Sequence, residues 1–413
     1  MTASLHKPQK TLFISRDGQH QPYLESLFIP VLAGLDRSRV APEILEFCLP
    51  EVGRASKRAA DRHDVPLHTR RYHGSILGSI LDTLIAVVVI HRFIRARGVT
   101  VLHPRSHVPG IAVLVVKIVH PTIRIVFDAD GLMPDERREA RGWSERAVVY
   151  RALRWIEAKL VTRADAVVVR TPQTAEILRS RTYPRVPANR FYVIPNGKDS
   201  TTFMPSSSSA RMRVRRELGI DPQAFLVLYV GSIGPNYLPR EMFRFFVALR
   251  ARRPNAHFLM ITTDDRESLV RDAVRAGVPE AALTVTTRSH EAMPPLIAAA
   301  DIGLSFRQAG VSRAAVCPLK VAEYLLCGVP VVTNEGVGDL DAVFQSGAVG
   351  YLLREFDDRS LTDAVAYCVE NCAGTGREAV RRGARRAGLA YFDLRRVQER
   401  YDRVYRSLGS SAC

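Results

Sequence analysis

The sequence has little lysine, only two tryptophans and no long uninterrupted apolar run. Seven of its 59 basic residues are lysine, so arginines scattered along the chain carry the formal net charge of +17. No zinc finger, aromatic RNA-binding run or basic arm accompanies this charge, and we therefore expect no nucleic-acid partner. A phosphorylated ligand or an anionic membrane surface explains the positive charge equally well.

Cysteine pairs of the metal-binding kind are also missing. The six cysteines are Cys48, Cys317, Cys327, Cys368, Cys372 and Cys413. They show no C-x-x-C spacing and no histidines at zinc spacing, which indicates reduced thiols. The first residues, MTASLHKPQK, lack the apolar core of a signal peptide. The expectation is a cytoplasmic protein.

The longest apolar stretch, residues 76–90, contains Asp82 and is shorter than the roughly 20 residues that a membrane span needs. It belongs to a helical pattern over residues 76–97 that ends in the basic run HRFIRARG. An outer helix packed on a sheet is the favoured interpretation. A helix with apolar and basic faces also suits peripheral contact with an anionic membrane, and this alternative stays open.

Short β-branched runs alternate with helix-length segments in both halves of the chain. The predicted strands are residues 11–15, 42–49, 66–72, 99–105, 123–129, 165–171 and 190–196, then 225–231, 256–262, 282–287, 302–306, 330–334 and 350–353. Helical patterns between them include residues 26–35, 76–97 and 143–162. Strands separated by helices predict parallel βαβ units. The predicted fold class is α/β, with two Rossmann-like doubly wound domains facing a cleft.

A chain of 413 residues is long enough for two domains. We predict the first domain at residues 1–197. The polar stretch KDSTTFMPSSSSA indicates a linker and domain entry over residues 198–222. The second domain is predicted at residues 223–385, followed by a basic C-terminal helix at 386–413.

The segment CPLKVAEYLLCGVPVV, residues 317–332, predicts a helix and then a strand. Pro318 suits a first helical turn, and Gly328 suits a left-handed cap. Lys320 and Glu323 lie one turn apart on one face. The N–H groups of a helix start favour a diphosphate, to which Lys320 adds a charge, and Glu323 can accept hydrogen bonds from ribose hydroxyls. An amphipathic helix with a solvated Lys and Glu fits the same spacing.

A second motif, VGSIG at residues 230–234, directly follows the predicted strand FLVLYV. Small residues at a strand end let a ligand approach the backbone, although an ordinary strand-to-helix turn has the same composition. The motif is neither a complete dinucleotide fingerprint nor a Walker loop. This disfavours a nicotinamide-dependent dehydrogenase.

Four segments occur together in the order and spacing of a known family: VIPNGKDSTTFMP (193–205), YVGSIG (229–234), MPPLIAAADIGLSF (293–306) and PLKVAEYLLCGVPVVTNEGVGD (318–339). They resemble family 4 glycosyltransferases, enzymes of the GT-B fold that retain anomeric configuration. Three N-terminal segments are similar to one branch of that family: ISRDGQ (14–19), HPRSHVPGIAVLVVKIV (103–119) and FDADGLMPDERRE (127–139). The similarity covers nearly the whole chain.

The resemblance implies transfer of a sugar from a nucleoside-diphosphate sugar, UDP-linked, to a hydroxyl acceptor bound by the first domain. It implies no metal cofactor, and C-terminal helices that pack back toward that domain. Glu323 would hold the donor ribose, and Lys320 would neutralise the departing diphosphate. The loop at residues 288–290, which follows a strand of the second domain, would frame the nucleotide base. The implied donor residues are Gly231, Ser232, Gly234, Arg240, Arg288, Ser289, His290, Lys320 and Glu323.

Catalytic contributions are expected from Lys320, Asp130 and His107. The implied acceptor residues are Asp17, Arg105, Asp128, Asp130, Glu136 and Asn196. Each has a structural alternative: Asp128 and Asp130 can cap the following segment, Glu136 can pair with an arginine, and Asn196-Gly197 can form an ordinary turn. A structural role for His103 and His107 is equally compatible with their position at a strand end.

Three departures from the family pattern concern the substrates. Ala315 stands where the family often has a second glutamate near the donor sugar. Many family members have a basic Arg…Lys pair after the glycine loop of the second domain. In this chain Arg240 could substitute for it, but it does not align with either residue of the pair. The segment DADG replaces D-x-R-G and also spells a D-x-D metal motif, which the GT-B markers disfavour. Two rivals remain, a GT-B sugar-nucleotide epimerase and a non-catalytic nucleotide-sugar-binding or scaffold protein.

Overall fold

The computed structural model describes residues 7–17, 23–234, 236–308, 310–345, 347 and 349–409. Cys413 and the last two residues of ISRDGQ lie outside the described residues. The chain divides into two compact units. The first unit contains the residues up to Pro195 and those from Leu394 onward, and the second unit is Asn196–Asp393.

The first unit is built on a parallel sheet with the strand order β3-β2-β1-β4-β5-β6-β7. Its strands are β1 (Gln9–Asp17), β2 (Val40–Cys48), β3 (Leu67–Arg71), β4 (Val101–Pro104), β5 (Arg124–Asp128), β6 (Ala166–Val169) and β7 (Phe191–Val193). Its helices are α1 (Ile29–Ala33), α2 (Pro50–Arg62), α3 (Ile76–Arg97), α4 (His107–Val119), α5 (Met133–Arg141), α6 (Val148–Arg163) and α7 (Pro172–Ser180).

The second unit is built on a parallel sheet with the order β10-β9-β8-β11-β12-β13. Its strands are β8 (Phe225–Val230), β9 (Ala256–Ile261), β10 (Leu283–Thr286), β11 (Ile302–Ser305), β12 (Val331–Asn334) and β13 (Gly350–Leu353). Its helices are α8 (Ser208–Glu217), α9 (Pro239–Arg252), α10 (Arg266–Arg275), α11 (Met293–Ala298), α12 (Leu319–Leu326), α13 (Leu340–Gln345), α14 (Asp358–Tyr367) and α15 (Arg377–Tyr391).

The two Rossmann-like sheets confirm the predicted fold class. Every predicted strand coincides with an observed one, because apolar runs between helices mark strands that are buried on both faces. In β8, for example, Leu226 and Leu228 pack on one face of the sheet while Val227 and Tyr229 pack on the other. The strand order reverses direction between β1 and β4 and between β8 and β11. Ligands of such sheets bind at the carboxyl ends of the strands beside this switch point.

The C-terminal helix α16 (Leu394–Gly409) belongs to the first unit. It packs on α1, and the Gln398 amide donates a hydrogen bond to the Pro30 carbonyl at 2.9 Å. Tyr401 and Tyr405 are buried in that unit. The chain therefore returns to the first unit with its last helix, whereas the preceding α15 packs on α12 in the second unit.

The segment predicted as a linker is ordered structure within the second unit, so that prediction is wrong. Lys198 is buried and forms a β-bridge with Asp393, and Phe203 is part of the core. The serine run begins α8, where the Ser207 hydroxyl accepts a hydrogen bond from the Ala210 N–H at 3.3 Å. Serine favours helix N-caps as well as loops, so its polarity alone did not distinguish the two.

Helix α3 lies on the outside of the first unit and leaves apolar side chains in solvent. Leu77 is 79% exposed, and the exposed apolar set continues onto α4 and α6. This apolar face comprises Leu77, Ile80, Leu81, Leu84, Val88, Val115, Ile118, Val119, Val148, Val149 and Trp155. By length and composition alone, Leu77–Arg97 also meets the requirements of a membrane-crossing helix. Core helices of soluble proteins and signal sequences meet the same two requirements.

Candidate active site

The glycine loop after β8 brings backbone and side chains together at the switch point. Gly231 has φ of 109°, and its N–H donates to the Ile261 carbonyl at 2.9 Å. The Ile233 N–H donates to Asp264. The N–H of Gly231 is therefore already bonded within the sheet, and the close approach of a diphosphate predicted for this loop stays a prediction. Glycine is favoured here by this positive φ, which L side chains rarely adopt; a Cβ at this position would lie in ordinary contact with Lys320 Nζ, at 3.5 Å.

Lys320 occupies the first turn of α12 and is 7% exposed. Its Nζ lies 3.9 Å from the ring centroid of Tyr229 and 3.8 Å from that of Tyr237. Within the described residues, this ammonium has no hydrogen-bond partner. Burial and the nearby Arg307 lower the pKa of Lys320 well below its ordinary value, and Glu323 and Asp264 oppose the shift. A buried cation without an acceptor is suited to receive an anion.

Arg307 supplies a second cation beside Lys320. It is the second residue after β11, and its guanidinium carbon lies 4.7 Å from the centroid of the Tyr237 ring. Its Nη1 donates to the Tyr237 hydroxyl at 2.9 Å, and its main-chain N–H donates to Asn334 Oδ1 at 2.9 Å. The predicted substitute, Arg240, is instead exposed on α9. The sequence signal for Arg307 was its place at the carboxyl end of a central strand.

Glu323, one turn beyond Lys320, forms an ion pair with Lys198, a residue of the predicted linker. Glu323 Oε1 lies 3.0 Å from Lys198 Nζ, and both side chains are buried. His290 of the predicted base loop is an exposed residue near this pair: its ring centroid lies 6.2 Å from that of Phe203, and Lys198 Nζ lies 5.6 Å from the Phe203 centroid. Partial burial and the charge of Lys198 lower the pKa of His290. Arg288 and Ser289 lie at the surface of the same loop. Glu323, Lys198 and His290 thus form one polar cluster next to Lys320.

Asn196 supports the segment that leads into α12, and the acceptor contact predicted for it stays a prediction. Its side-chain amide donates to the Cys317 carbonyl at 3.0 Å, and its main-chain N–H donates to Cys317 Sγ at 3.2 Å. These bonds fix the segment that enters α12. Ala315 is buried in the preceding turn, so that position provides no polar group.

In the first unit, Asp128 forms the centre of a buried polar network. Its two oxygens accept from Arg170 Nη2 at 2.7 and 2.8 Å, from the Tyr401 hydroxyl at 2.8 Å and from the Asp130 N–H at 3.1 Å. Burial raises the pKa of Asp128, but Arg170, His103 and Tyr401 together hold it well below its usual range. These three donor groups make four hydrogen bonds, about as many as the oxygens of a carboxylate accept. This bonding disfavours the acceptor contact predicted for Asp128, whose carboxylate instead caps the next segment.

Asp130 is the more accessible carboxylate of the pair, with a side chain 27% exposed. It accepts from Arg105 Nη2 at 2.6 Å and from Arg170. Asp130 has φ of 55°, and Ser106, at the end of the neighbouring β4, has φ of 68°. Two non-glycine residues in this strained region cluster at the carboxyl edge of the sheet, as is frequent at functional sites.

The remaining predicted residues of the first unit are distributed around this edge. Asp17 ends β1. Glu136 is exposed on α5, and its carboxylate lies over Gly131, where an added Cβ would be 2.5 Å from Oε1. His107 is 1% exposed, with its ring against Phe127 and Nε2 3.6 Å from Glu157. This interior position disfavours the catalytic contact predicted for His107, because substrate would have to displace packed side chains.

No group of three or more His, Cys, Asp or Glu side chains within the described residues is arranged to hold a metal ion. The DADG motif illustrates why: Asp128 and Asp130 are bound to arginines instead. Independence from metal remains a prediction.

Comparisons with known proteins cover both units. A sequence profile described as Glycosyltransferase Family 4 matches residues 33–201, and one described as Glycosyl transferases group 1 matches residues 224–371. The alpha-maltose-1-phosphate synthase of Mycobacterium tuberculosis is 25% identical over 297 residues, which are 70% of this chain and 71% of that protein. A D-inositol 3-phosphate glycosyltransferase of Mycobacterium is 28% identical over 234 residues, 55% of this chain and 49% of that protein. The chain thus spans about half the length of the second relative.

Solved structures give the same fold. The crystal structure of Anabaena HepE in complex with UDP and glucose has a TM-score of 0.73 and 17% sequence identity, covering 97% of this chain and all of that one. The two glycosyltransferase profiles together cover most of the sequence, residues 33–201 and 224–371, and whole-chain structural similarity accompanies them. The chain belongs to the family 4 glycosyltransferases of the GT-B fold.

Proposed function

We propose that the protein transfers a sugar from a UDP-sugar to a hydroxyl acceptor, with retention of anomeric configuration and without a metal ion. The observation that carries this proposal is the buried, unpartnered Lys320 ammonium in the first turn of α12, against the glycine loop. A donor diphosphate placed there would receive the charge of Lys320 and the positive end of the helix. Arg307 would contribute a second positive charge across Tyr237.

The charges at this site suit the chemistry of the leaving group. The bond between the anomeric carbon and the diphosphate oxygen breaks, and the electron pair stays on the diphosphate. A new bond forms between the anomeric carbon and the acceptor oxygen, whose proton passes to the leaving phosphate. Lys320 and Arg307 stabilise the charge that develops in the transition state, which is the largest catalytic contribution in many enzymes. Retention rests on the resemblance to the family.

A uridine donor is supported from two sides. Glu323 has the position that the family uses for the ribose, and its ion pair with Lys198 fixes the carboxylate. The structurally similar HepE of Anabaena was crystallised with UDP and with UDP-glucose. The acceptor would bind at the carboxyl edge of the first unit, where Arg105 and Asp130 form a partly accessible ion pair.

The experiment compares wild type with Lys320→Ala in a panel of nucleotide sugars containing EDTA, and follows nucleoside diphosphate released by slow donor hydrolysis. Lys57→Ala is a matched control, because Lys57 is exposed and pairs only with Asp61 among the described residues. We expect release from one donor by wild type and by the control, but little by Lys320→Ala. Binding of UDP without release would favour a binding protein. A changed sugar still attached to the nucleotide would favour an epimerase.

We also propose that the protein works in the cytoplasm, in peripheral contact with the anionic inner face of the membrane. The five cysteines in the described residues are buried, as expected of reduced thiols. The apolar face defined above is flanked by exposed arginines, among them Arg92, Arg95 and Arg151. Apolar area and positive charge together favour an anionic lipid surface.

Vesicle sedimentation tests this contact. We expect binding to phosphatidylcholine vesicles that contain phosphatidylglycerol, and weakened binding after Leu77→Ser with Leu84→Ser. A control with Val274→Ser and Val311→Ser changes exposed apolar residues of the second unit. Equal sedimentation of all three proteins, or none by wild type, would contradict the proposal.

A further inference from the structure

The amino-terminal edge of the second sheet, opposite to the end that carries Lys320, holds a dense group of arginines. Asp301 precedes β11 and is buried. Its carboxylate accepts from Arg211 at 2.7 Å, from Arg215 at 2.9 Å and from Arg377 at 2.7 Å. Arg381 lies in the same group and donates to the Ala300 carbonyl at 2.9 Å. One carboxylate therefore faces four guanidinium groups.

The four guanidinium groups carry more positive charge than the single carboxylate of Asp301 neutralises. Arg211 is 5% exposed, and its Nε is buried without a hydrogen-bond partner among the described residues. Burial, followed by the charge of Arg381, lowers the pKa of Arg211 to about 9. An additional anion beside Arg211 would relieve both the unsatisfied donor and the repulsion between the two guanidinium groups.

A cavity of about 480 Å³ opens directly onto this group. Five arginines line it, and Glu378 is the acidic side chain in its wall; the arginines are Arg211, Arg381, Arg382, Arg385 and Arg386. Arg385 donates to the carbonyls of Phe203 and Ser200, which fixes the wall. Arg382 and Arg386 are exposed on α15 at the rim. The cavity thus combines a buried guanidinium with exposed ones at its rim.

The other wall of the cavity is the start of α8. Residues 206–208 contribute serine side chains, and the ten-residue helix begins at Ser208. The N–H groups of a first helical turn point outward and carry partial positive charge. Serine hydroxyls and guanidinium groups complete the donor set that phosphate groups receive in proteins.

We propose that this cavity binds a phosphate-bearing anion, held by Arg211 inside, by Arg382 and Arg386 at the rim, and by the first turn of α8. The phosphate is that of a free phosphorylated compound or of a lipid headgroup, since the recognising groups are the same for both. The site is separate from the donor site, because it lies at the opposite edge of the sheet.

The test is calorimetric titration with inorganic phosphate and pyrophosphate at constant ionic strength, balanced with sodium chloride. Lys320→Ala serves as the starting protein, so that binding at the donor site does not contribute. We expect saturable binding that weakens at least tenfold after Arg382→Ala with Arg386→Ala. The matched control, Arg213→Ala with Arg216→Ala, removes two exposed arginines from the outer side of α8 and should bind as before.

A parallel arm uses phosphatidylcholine vesicles with phosphatidic acid, whose headgroup is a phosphomonoester. Sedimentation that free phosphate competes away, and that the rim variant loses, identifies the lipid as the source. Phosphate binding without vesicle binding identifies a soluble ligand. No saturable phosphate binding, or equal weakening in the control variant, would overturn the proposal. Neither result affects the donor-release experiment, which reports on the other edge of the sheet.

Discussion

Replacement of Lys320 by methionine should stabilise the protein while weakening its binding of a donor. The Lys320 ammonium is buried and has no acceptor within the described residues. Burying an unsatisfied polar group costs about 1–3 kcal/mol, whereas the cation–π contacts with Tyr229 and Tyr237 return about 1–2 kcal/mol. Methionine keeps the apolar length and makes its own sulfur contacts with the rings. The net gain is about 1 kcal/mol, or about 2–4 °C for a unit of about 200 residues.

The gain should depend on pH in a defined direction. Burial and Arg307 lower the pKa of Lys320 in the folded protein, so the folded state binds a proton less readily than the unfolded chain does. The penalty of Lys320 is therefore complete below its folded pKa and disappears as pH rises to the ordinary lysine value near 10.5. The stabilisation by methionine should grow as pH falls from about 10.5 towards the folded pKa of Lys320, stay constant below it, and vanish in strong alkali.

Thermal unfolding and UDP calorimetry together measure the two opposing effects. We expect a higher unfolding temperature and UDP affinity reduced about ten- to a hundredfold, since a hydrogen bond to a charged group contributes about 1.5–3 kcal/mol. A bound diphosphate should raise the pKa of Lys320, so at pH values between the pKa of the free protein and that of the complex UDP binding by wild type should take up protons. A dependence of the measured enthalpy on the buffer would show this uptake, and the variant should lose it. A destabilised variant with unchanged UDP affinity would refute the reasoning.

Three further substitutions probe neighbouring contacts. Lys198→Met leaves Glu323 buried without its cation and should cost about 3–5 kcal/mol in urea unfolding, with partial recovery when Glu323→Gln is added; no recovery would contradict the ion pair. Gly231→Ala forces a side chain onto φ of 109° beside Lys320 and should lower stability by about 1–2 kcal/mol together with UDP affinity, so wild-type affinity would speak against a close approach at this loop. Tyr401→Phe removes a buried donor to Asp128 and should lower the unfolding free energy by about 1–3 kcal/mol without changing UDP affinity, and a large affinity loss would disprove this separation.

The sheets could be predicted from sequence because buried parallel strands are short, continuous apolar runs. The run FLVLYV became β8 with nearly the expected bounds. The helix that carries Lys320 and Glu323 also followed from local chemistry, since Pro318 precedes its first residue and Gly328, with φ of 66°, follows its end. Local signals of this kind act within a few residues and are visible in a single sequence.

Partners that are distant in sequence could not be predicted. Arg307 reaches Tyr237 across 70 positions, and Lys198 reaches Glu323 across more than a hundred. Asp128 is the clearest case, because its motif suggested a substrate contact, whereas Arg170 and Tyr401 saturate its oxygens from other elements. A sequence pattern indicates that a carboxylate stands at the end of a strand, but only the folded chain decides which donors reach it.

The position of α16 has a consequence for synthesis on the ribosome. The second unit is one continuous segment, Asn196–Asp393, and its residues emerge in a single stretch. The first unit instead needs Tyr401, which donates to Asp128, and Tyr405, which lies 2.6 Å from His103 Nδ1. Its interior therefore stays incomplete until residues near 405 have left the exit tunnel, long after β1 to β7 have been translated. The half that begins first is finished last, and a nascent chain halted before α16 would present a folded second unit beside an unsatisfied first one.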